Sequence, residues 1–519
     1  MTPMRIAFLH PDLGIGGAER LVVDTALGLQ NLGHTVDIYT SHHDPNRCFE
    51  ETRDGTLKVY NVVPPFPRHI QGKFHILLAH LRQLHLTRRI LKLIQDKKKT
   101  YDVFFVDQLS TCVPFLRSFT GIRVVFYCHF PDKLLANGVF IEDPEQRPNP
   151  PLLKQIYRYP MDWWEEATTR QADVILSNSR FSRRVFKASF PSIETVPRVV
   201  YPGINFQAYE TKANLSDPTV EAIASSRPTL VSLNRFEQKK NLALAAHAFA
   251  KLRQREEVKA SAELRRLRLV IAGGYDPRLT DNVQTLSSLV SLIKAASLTY
   301  KIASPTLSLL DNLPVPIANL SSTKSDDADV VLLLSFSTPQ RTYLLSPPSI
   351  ALLYTPTNEH FGIGPVEGMC AGLPVLAVGE GGPVESLGPI SINSDLPSTS
   401  SINCSPDLHA MEDDLDGAVG WLKPAESDIW ASALYEIVNL SENDRARIAE
   451  RAKARAKRMF GMDVMARGVE GALKDAVSRG PCARIDVEGI AWLILGLLAV
   501  ALGVWSTFFQ VGSGTKYNY

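Results

Sequence analysis

The chain has 519 residues, of which 45% are apolar and 21% charged, and its formal net charge is +2. That length allows two or more domains with cores of their own, and the balance excludes both a disordered tail and a strongly basic nucleic-acid binder. Six scattered cysteines (Cys48, Cys112, Cys128, Cys370, Cys404, Cys482) form no CxxC pair, so neither a zinc site nor a disulfide framework is expected, and a reduced compartment fits.

Arg5 to Leu9 is a short apolar strand, and Arg5 makes the opening too short and too charged for a signal peptide. The loop that follows carries Gly14, Gly16 and Gly17, and Ala18 to Leu32 has the periodicity of an amphipathic helix. Strand, glycine loop and helix open a βαβ unit, but the spacing is not GxGxxG and a nicotinamide fingerprint is not expected. Gly16 and Gly17 either let a phosphate or sugar approach the backbone or simply make a tight turn.

Further strands are predicted at His34–Thr40, Val59–Val63, Val103–Val106, Val124–Cys128, Val174–Ser177 and Val199–Tyr201, alternating with helices. This alternation predicts a parallel sheet covered on both faces. Lys73 to Lys99 is a basic amphipathic helix with Leu77, Leu81, Leu84 and Leu91 on its apolar stripe, suited either to core packing or to an anionic membrane surface. Its histidines at 75, 80 and 85 do not share a face, which argues against a metal site. His129 directly follows a strand, where a side chain enters the ligand crevice of a doubly wound sheet. The helix from Leu152 to Gln171 carries Trp163 and Trp164 as packing residues.

Tyr201-Pro-Gly-Ile204 looks like a hinge, and the polar stretch after it places a linker at 206–228. A second strand–loop–helix set then begins at Thr229–Leu233, bringing Arg235 and Lys240 to the start of a helix at Leu242–Arg253, where Arg can grip a diphosphate and Lys adds a point charge. Strands are predicted at Leu267–Ala272, Val330–Phe336, Ser349–Tyr354 and Leu373–Ala377, with only helices and irregular chain over Asp276–Asp329. The stretch Asn358–Gly372, NEHFGIGPVEGMCAG, joins a strand to a helix expected from Gly364. Glu359 lies in its loop and Glu367 on the first helical turn, around Gly362-Ile363-Gly364, whose free N–H groups suit an anion. An anion site beside carboxylates able to accept from diols suggests a nucleotide or nucleotide sugar. A second glycine turn follows at Gly379–Pro383, then a Ser-, Pro- and Asp-rich insertion over Gly388–Asp416. Asp327/Asp329 and Asp414/Asp416 match a DxD string, but they precede a strand or lie in the insertion and are read as solvated loops. Ser441 to Ala476 is helical and charged. Ile490 to Phe509 is uncharged and long enough to cross a bilayer, with basic residues before it, predicting a transmembrane helix over 488–510 and a cytosolic body.

Taken together, HPDLGIGGAERLVVD, FYCHFPDKLLA, NRFEQKKNLALA and YTPTNEHFGIGPVEGMCAGLPVLAV with its GGPVES tail resemble retaining glycosyltransferases of the GT-B fold. Glu359 and Glu367 match that family's glutamate pair, separated by seven residues. The nearer likeness is to the GDP-mannose-dependent α-1,3/1,6-mannosyltransferases of dolichol-linked oligosaccharide assembly. It covers Arg5 to Leu387 less the irregular parts. Asn205 departs from an Asp frequent in the hinge motif, and Asn234 from a Gly that commonly precedes the Arg.

The resemblance implies two Rossmann-like domains facing a cleft, at 1–205 and 229–440, followed by C-terminal helices at 441–485. It implies that Glu367 binds the ribose of GDP and Glu359 the mannose hydroxyls, that Arg235 and Lys240 hold the diphosphate without a metal or other cofactor, and that His129 contacts the transferring sugar. Phe361, Gly362, Ile363 and Gly364 would complete the donor site, the last two donating N–H groups, with Gly16 and Gly17 on the acceptor side. The implied partners are GDP-mannose, a dolichyl-diphosphate oligosaccharide, the endoplasmic reticulum membrane with the catalytic domains in the cytosol, and other enzymes of the same pathway, with no nucleic acid. Rival readings are another membrane-bound GT-B glycosyltransferase, a nucleotide-sugar epimerase, or a membrane-tethered protein that binds nucleotide sugars without turnover.

Overall fold

A computed structural model of the chain describes residues 2–71, 73–135, 152–306, 309–310, 313, 328–388 and 419–483. They form two compact units, one of residues 2–203 together with 462–483, the other of residues 204–461.

The first unit is built on seven strands: β1 (Arg5–His10), β2 (Thr35–Thr40), β3 (Lys58–Asn61), β4 (Val103–Asp107), β5 (Arg123–Cys128), β6 (Val174–Ser177) and β7 (Arg198–Val199). They pair in the order 3-2-1-4-5-6-7, all parallel. Every residue of β4 is buried, which explains its unbroken apolar run before the terminal Asp107. Alternation sends Phe105 into a cluster with Phe8, Val22, Val469 and Leu473, and Phe104 into a second cluster with Leu86, Ile90, Leu116 and Phe186. Each such aromatic contributes roughly 1.5–3 kcal/mol by leaving water.

The second unit repeats the plan with β8 (Thr229–Leu233), β9 (Arg268–Gly273), β10 (Tyr300–Ala303), β11 (Val330–Leu334), β12 (Ser349–Tyr354), β13 (Val375–Val378) and β14 (Trp421–Lys423). Their order is 10-11-9-8-12-13-14, again all parallel. Trp430 and Leu434, on the helix Ser427–Val438, close the core over Phe249 of the helix Leu242–Gln254.

The structure differs from the sequence reading in several places. The division falls at Gly203/Ile204, within the expected hinge, and the stretch 206–228 belongs to the second unit, where Val220 and Ile223 are fully buried. The helices expected as one block over 441–485 are divided. Glu442–Phe460 stays with the second unit, and Met462–Ser478 packs on the helix Gly17–Asn31 of the first. β10 and β14 were not expected, because four- and three-residue strands carry too few positions to show a period. The basic helix spans His75–Gln95 and buries Leu78, Leu86 and Ile90, so Leu81, Leu84 and Leu91 are the half-buried flank of its core face. Asp329 is not a solvated loop residue: it accepts from Arg227 at 3.3 Å, Arg253 at 3.2 Å and the Thr299 hydroxyl at 2.8 Å. Asp327, Asp414, Asp416, the insertion after Gly388 and the apolar run 488–510 lie outside the described residues. Among the described residues no helix is long and apolar enough to cross a membrane.

Candidate active site

The strand order reverses between β1 and β4 in the first unit and between β8 and β12 in the second. The crevice beyond the carboxyl ends of the strands at such a reversal is where open α/β sheets bind ligands. The residues singled out from the sequence gather at these two places.

In the second unit, β8 runs into the loop Asn234–Asn241. This loop crosses the end of β9 so closely that a Cβ on Gly273 would stand 1.7 Å from the Asn234 carbonyl oxygen. Lys240 ends a short 3-10 turn, and Asn241 follows with φ +47°. From there the Lys240 ammonium reaches Glu359, in the loop after β12, at 2.6 Å, with side-chain exposures of only 17% and 22%. Thr355 fastens the same two loops by donating its hydroxyl to the Lys240 carbonyl at 2.7 Å. Burial pushes the Glu359 carboxyl up, but the Lys240 charge and hydrogen bond outweigh it and hold the group below the ordinary glutamate range. The structure treats Arg235 differently: its side chain is 64% exposed and paired with Glu237 at 3.2 Å.

The Glu359 loop is built on glycines for steric reasons. Gly362 has φ +77°, and a Cβ on Gly364 would press within 2.7 Å of the Tyr354 ring. The later glycine turn buttresses this loop from behind. Gly382 donates to the Glu359 carbonyl at 2.8 Å, and a Cβ there would lie 2.2 Å from the Phe361 oxygen. Phe361 itself is 4% exposed and packs edge-on against Phe460 at 5.5 Å, so its side chain is core and only its backbone can face a ligand. Ile363 starts the helix Ile363–Ala371, and with Gly364 it provides N–H groups that have no partner within the helix.

Because the helix begins at Ile363 rather than Gly364, Glu367 stands on its second turn, not its first. There it accepts from the Tyr209 hydroxyl at 3.0 Å and from Arg341, whose guanidinium lies 5.0 Å over the Tyr209 ring. Arg341 and Tyr209 carried no signal in the sequence, since they reach Glu367 from 26 and 158 residues away. Lys240, Glu359 and the helix start together offer one strong cation and free N–H groups for an anion, beside carboxylates that accept from hydroxyls.

In the first unit, His129 follows β5 and meets Asp107, the last residue of β4, at 2.7 Å through Nε2. The second oxygen of Asp107 meets Nδ1 of His10, the last residue of β1, also at 2.7 Å. Burial pushes the Asp107 carboxyl up, but the two imidazoles outweigh it and hold it at about 2. Burial likewise pushes His10 down, but the hydrogen bond and charge of Asp107 overcome it and leave His10 raised. The sequence reading missed Asp107 and His10, although both carry the signal used for His129, a polar residue at the end of an apolar strand. A Cβ on Gly17 would meet no described atom within 4 Å and its φ is not positive, so nothing in the fold there demands glycine; a Cβ on Gly16 would stand 2.2 Å from the Glu19 carboxylate, the end of a flexible side chain. A cavity of about 230 Å³ beside β1 and β2 is lined by Arg68 and Arg82 with Asp12 between them. Among the described residues no cluster of three His, Cys, Asp or Glu side chains is arranged to hold a metal ion.

Residues 15–208 match Glycosyltransferase Family 4. The chain is 44% identical to "Alpha-1,3/1,6-mannosyltransferase ALG2" of Rhizomucor pusillus over 84% of each chain. It is 39% identical to the same-named protein of Kluyveromyces lactis over 92% of this chain and 86% of that one. With the Saccharomyces cerevisiae protein of that name it shares 37% over 90% of this chain and 83% of that one. Among solved structures, the catalytic domain of Starch Synthase IV from Arabidopsis thaliana aligns with TM-score 0.61 at 14% identity, covering 92% of this chain and all of that one. A glycosyltransferase from Rickettsia africae aligns with TM-score 0.58 at 15% identity, over 92% and 100% of the two chains. Likeness at that identity establishes the fold alone, that of GT-B glycosyltransferases built from two Rossmann-like α/β domains. Identity of this degree to the curated relatives, sustained over nearly the whole chain, makes this protein a member of the α-1,3/1,6-mannosyltransferase ALG2 family.

Proposed function

We propose that this mannosyltransferase takes mannose from GDP-mannose and places it on a dolichyl-diphosphate-linked GlcNAc2 mannose acceptor, making an α-1,3 and an α-1,6 linkage in either order, with retention. The observation that carries the reading is the Lys240–Glu359 pair at 2.6 Å, which sets one cation beside one sugar-binding carboxylate at the point where the second sheet reverses. Lys240, with Arg235 and the N–H groups of Ile363 and Gly364, would hold the diphosphate. Glu359 would hold the mannose hydroxyls, Glu367 the ribose, and His129 a hydroxyl of the transferring sugar. The bond from the anomeric carbon to the phosphate oxygen breaks, the acceptor oxygen bonds to the same face, and the acceptor proton passes to the leaving diphosphate. Catalysis then comes from positioning and from electrostatic stabilisation of the departing charge.

In this reading cationic side chains neutralise the leaving diphosphate and no divalent ion is required. The one described aspartate of the DxD strings, Asp329, is already engaged by two arginines, which supports that view. Arg68 and Arg82 around the cavity beside β1 and β2 would meet the acceptor diphosphate. The uncharged run from Ile490 to Phe509 and the basic residues before it support an anchor in the endoplasmic reticulum membrane with both units in the cytosol.

The test is incubation of the purified full-length protein with GDP-mannose and a short-chain lipid-diphosphate GlcNAc2 mannose acceptor, with and without chelator, followed by mass spectrometry and linkage-specific mannosidases. Two added mannoses, one of each linkage and insensitive to chelator, are expected. An epimerised nucleotide sugar, binding without transfer, or activity lost to chelator and restored by magnesium would each overturn part of the reading.

A further inference from the structure

His10, Asp107 and His129 end or directly follow β1, β4 and β5, three neighbouring strands at the reversal of the first sheet. Asp107 and His10 are each 1% exposed, whereas His129 is 21% exposed, so only the last member of the chain reaches solvent. A carboxylate sealed at that depth is costly unless its oxygens are satisfied by donors, and here one imidazole serves each oxygen at 2.7 Å. An ionised carboxylate has no proton to give, so both contacts are donated by the rings: Nδ1–H of His10 and Nε2–H of His129. The two nitrogens of an imidazole lie on opposite edges, so a ring that donates through Nε2 to the interior turns Nδ1 the other way.

We infer that Asp107 and His10 are positioning residues for the transfer reaction: His10 keeps Asp107 in place and ionised, and Asp107 holds His129 in the tautomer whose Nδ1 lone pair accepts from a hydroxyl of the transferring sugar. The inference rests on the reading that His129 contacts that sugar. His10 Nε2, buried with no hydrogen-bond partner among the described residues, shows that the His10 ring is oriented for Asp107 and not for a second polar neighbour. With Asp107 replaced by an amide, the group facing His129 can donate as well as accept, the tautomer is no longer fixed, and the ring can present an N–H where the sugar hydroxyl needs an acceptor.

The experiment uses the full-length enzyme with GDP-mannose and the lipid-linked acceptor, comparing Asp107→Asn, His10→Ala, His10→Asn, His129→Ala and Asp107→Asn/His129→Ala, with thermal melts on each. Asp107→Asn is expected to lower kcat about 10- to 100-fold with the KM for GDP-mannose within threefold, and the double variant to be no slower than His129→Ala. His10→Asn, whose side-chain amide can donate from near the position of Nδ1, is expected to recover most of the activity that His10→Ala loses. Full additivity of Asp107→Asn with His129→Ala would overturn the inference, as would wild-type turnover in Asp107→Asn or equal activity in the two His10 variants. If Asp107→Asn does not fold, the His10 pair decides alone. Wild-type turnover in His129→Ala would instead overturn the contact assigned to His129, so the two failures are told apart.

Discussion

Lys240 and Glu359, 119 residues apart, form a largely buried ion pair at 2.6 Å that ties the loop after β8 to the loop after β12. Removing one partner leaves the other's charge desolvated and unpaired. Lys240→Ala is expected to lower kcat about 100-fold, on the order of 3 kcal/mol of transition-state stabilisation. Arg235→Ala, at an exposed side chain, is expected to cost less than Lys240→Ala. Steady-state kinetics on both variants checks this, and a Lys240→Ala enzyme within threefold of wild type would count against the assigned role.

Glu367 is held by Arg341 and Tyr209, and neither touches the Lys240–Glu359 pair in any hydrogen bond of the structure. If Glu367 serves the donor ribose, Arg341→Ala disturbs binding more than chemistry. The expected outcome is a KM for GDP-mannose raised about tenfold with kcat within threefold, and a smaller rise for Tyr209→Phe. A loss confined to kcat would place Glu367 in the chemical step instead.

Two glycine substitutions should separate steric need from ligand access. Gly382→Ala drives a methyl to 2.2 Å from the Phe361 carbonyl oxygen, which is backbone and cannot swing away. It is expected to lose about 1–3 kcal/mol of stability and to displace the Glu359 loop. Gly17→Ala meets no described atom within 4 Å. Its melting temperature is expected to stay unchanged while activity falls, because the added methyl occupies space a ligand needs. Calorimetry paired with kinetics decides both, and full activity in Gly17→Ala would make that glycine incidental.

His80 gives the first unit an acid sensitivity. Trp164 Nε1 donates to the Thr111 oxygen at 3.2 Å, and the Thr111 hydroxyl meets Nδ1 of the buried His80 at 2.6 Å. Burial lowers the His80 pKa from 6.5 to about 4. The native state therefore binds fewer protons than the unfolded chain in this window. The stability involved is fully present above about 6.5 and is lost as pH falls through about 4, on the order of 3 kcal/mol in all. His80→Asn keeps an acceptor without the titration. Its denaturation midpoint is expected to vary less between pH 6.5 and 4 than that of the wild type.

Asp329 is expected to matter for folding and not for metal binding. Asp329→Ala removes the carboxylate that Arg227 and Arg253 share, both less than a quarter exposed, and leaves their charges with main-chain carbonyl contacts. It should lower stability by about 2–4 kcal/mol while turnover per folded molecule stays near wild type, with or without chelator. Denaturant titration and kinetics on the soluble fraction check it.

Much of this fold was legible because period and end-residue chemistry are local properties. β4, β5, β8 and β12 are apolar runs that stop at a polar residue or loop, and that stop marks the edge of the sheet where ligands bind. Lys240, Glu359 and His129 are singled out that way, and Glu367 by its place on the helix that follows. The same signal stood at His10 and Asp107 but needed a neighbouring strand to give it meaning.

The sequence alone determined the two parallel sheets, the strand–loop–helix units and the identity of the residues at their carboxyl ends, because burial writes itself into the spacing of apolar residues. Only the tertiary structure decided who meets whom: Arg341 and Tyr209 at Glu367, His10 and His129 on one carboxylate, Gly382 behind Glu359, and the parting of two successive helices at Gly461 into different units. Periodicity records that a face is covered and is silent about what covers it. Such pairings depend on distances across the folded chain, which no local pattern contains.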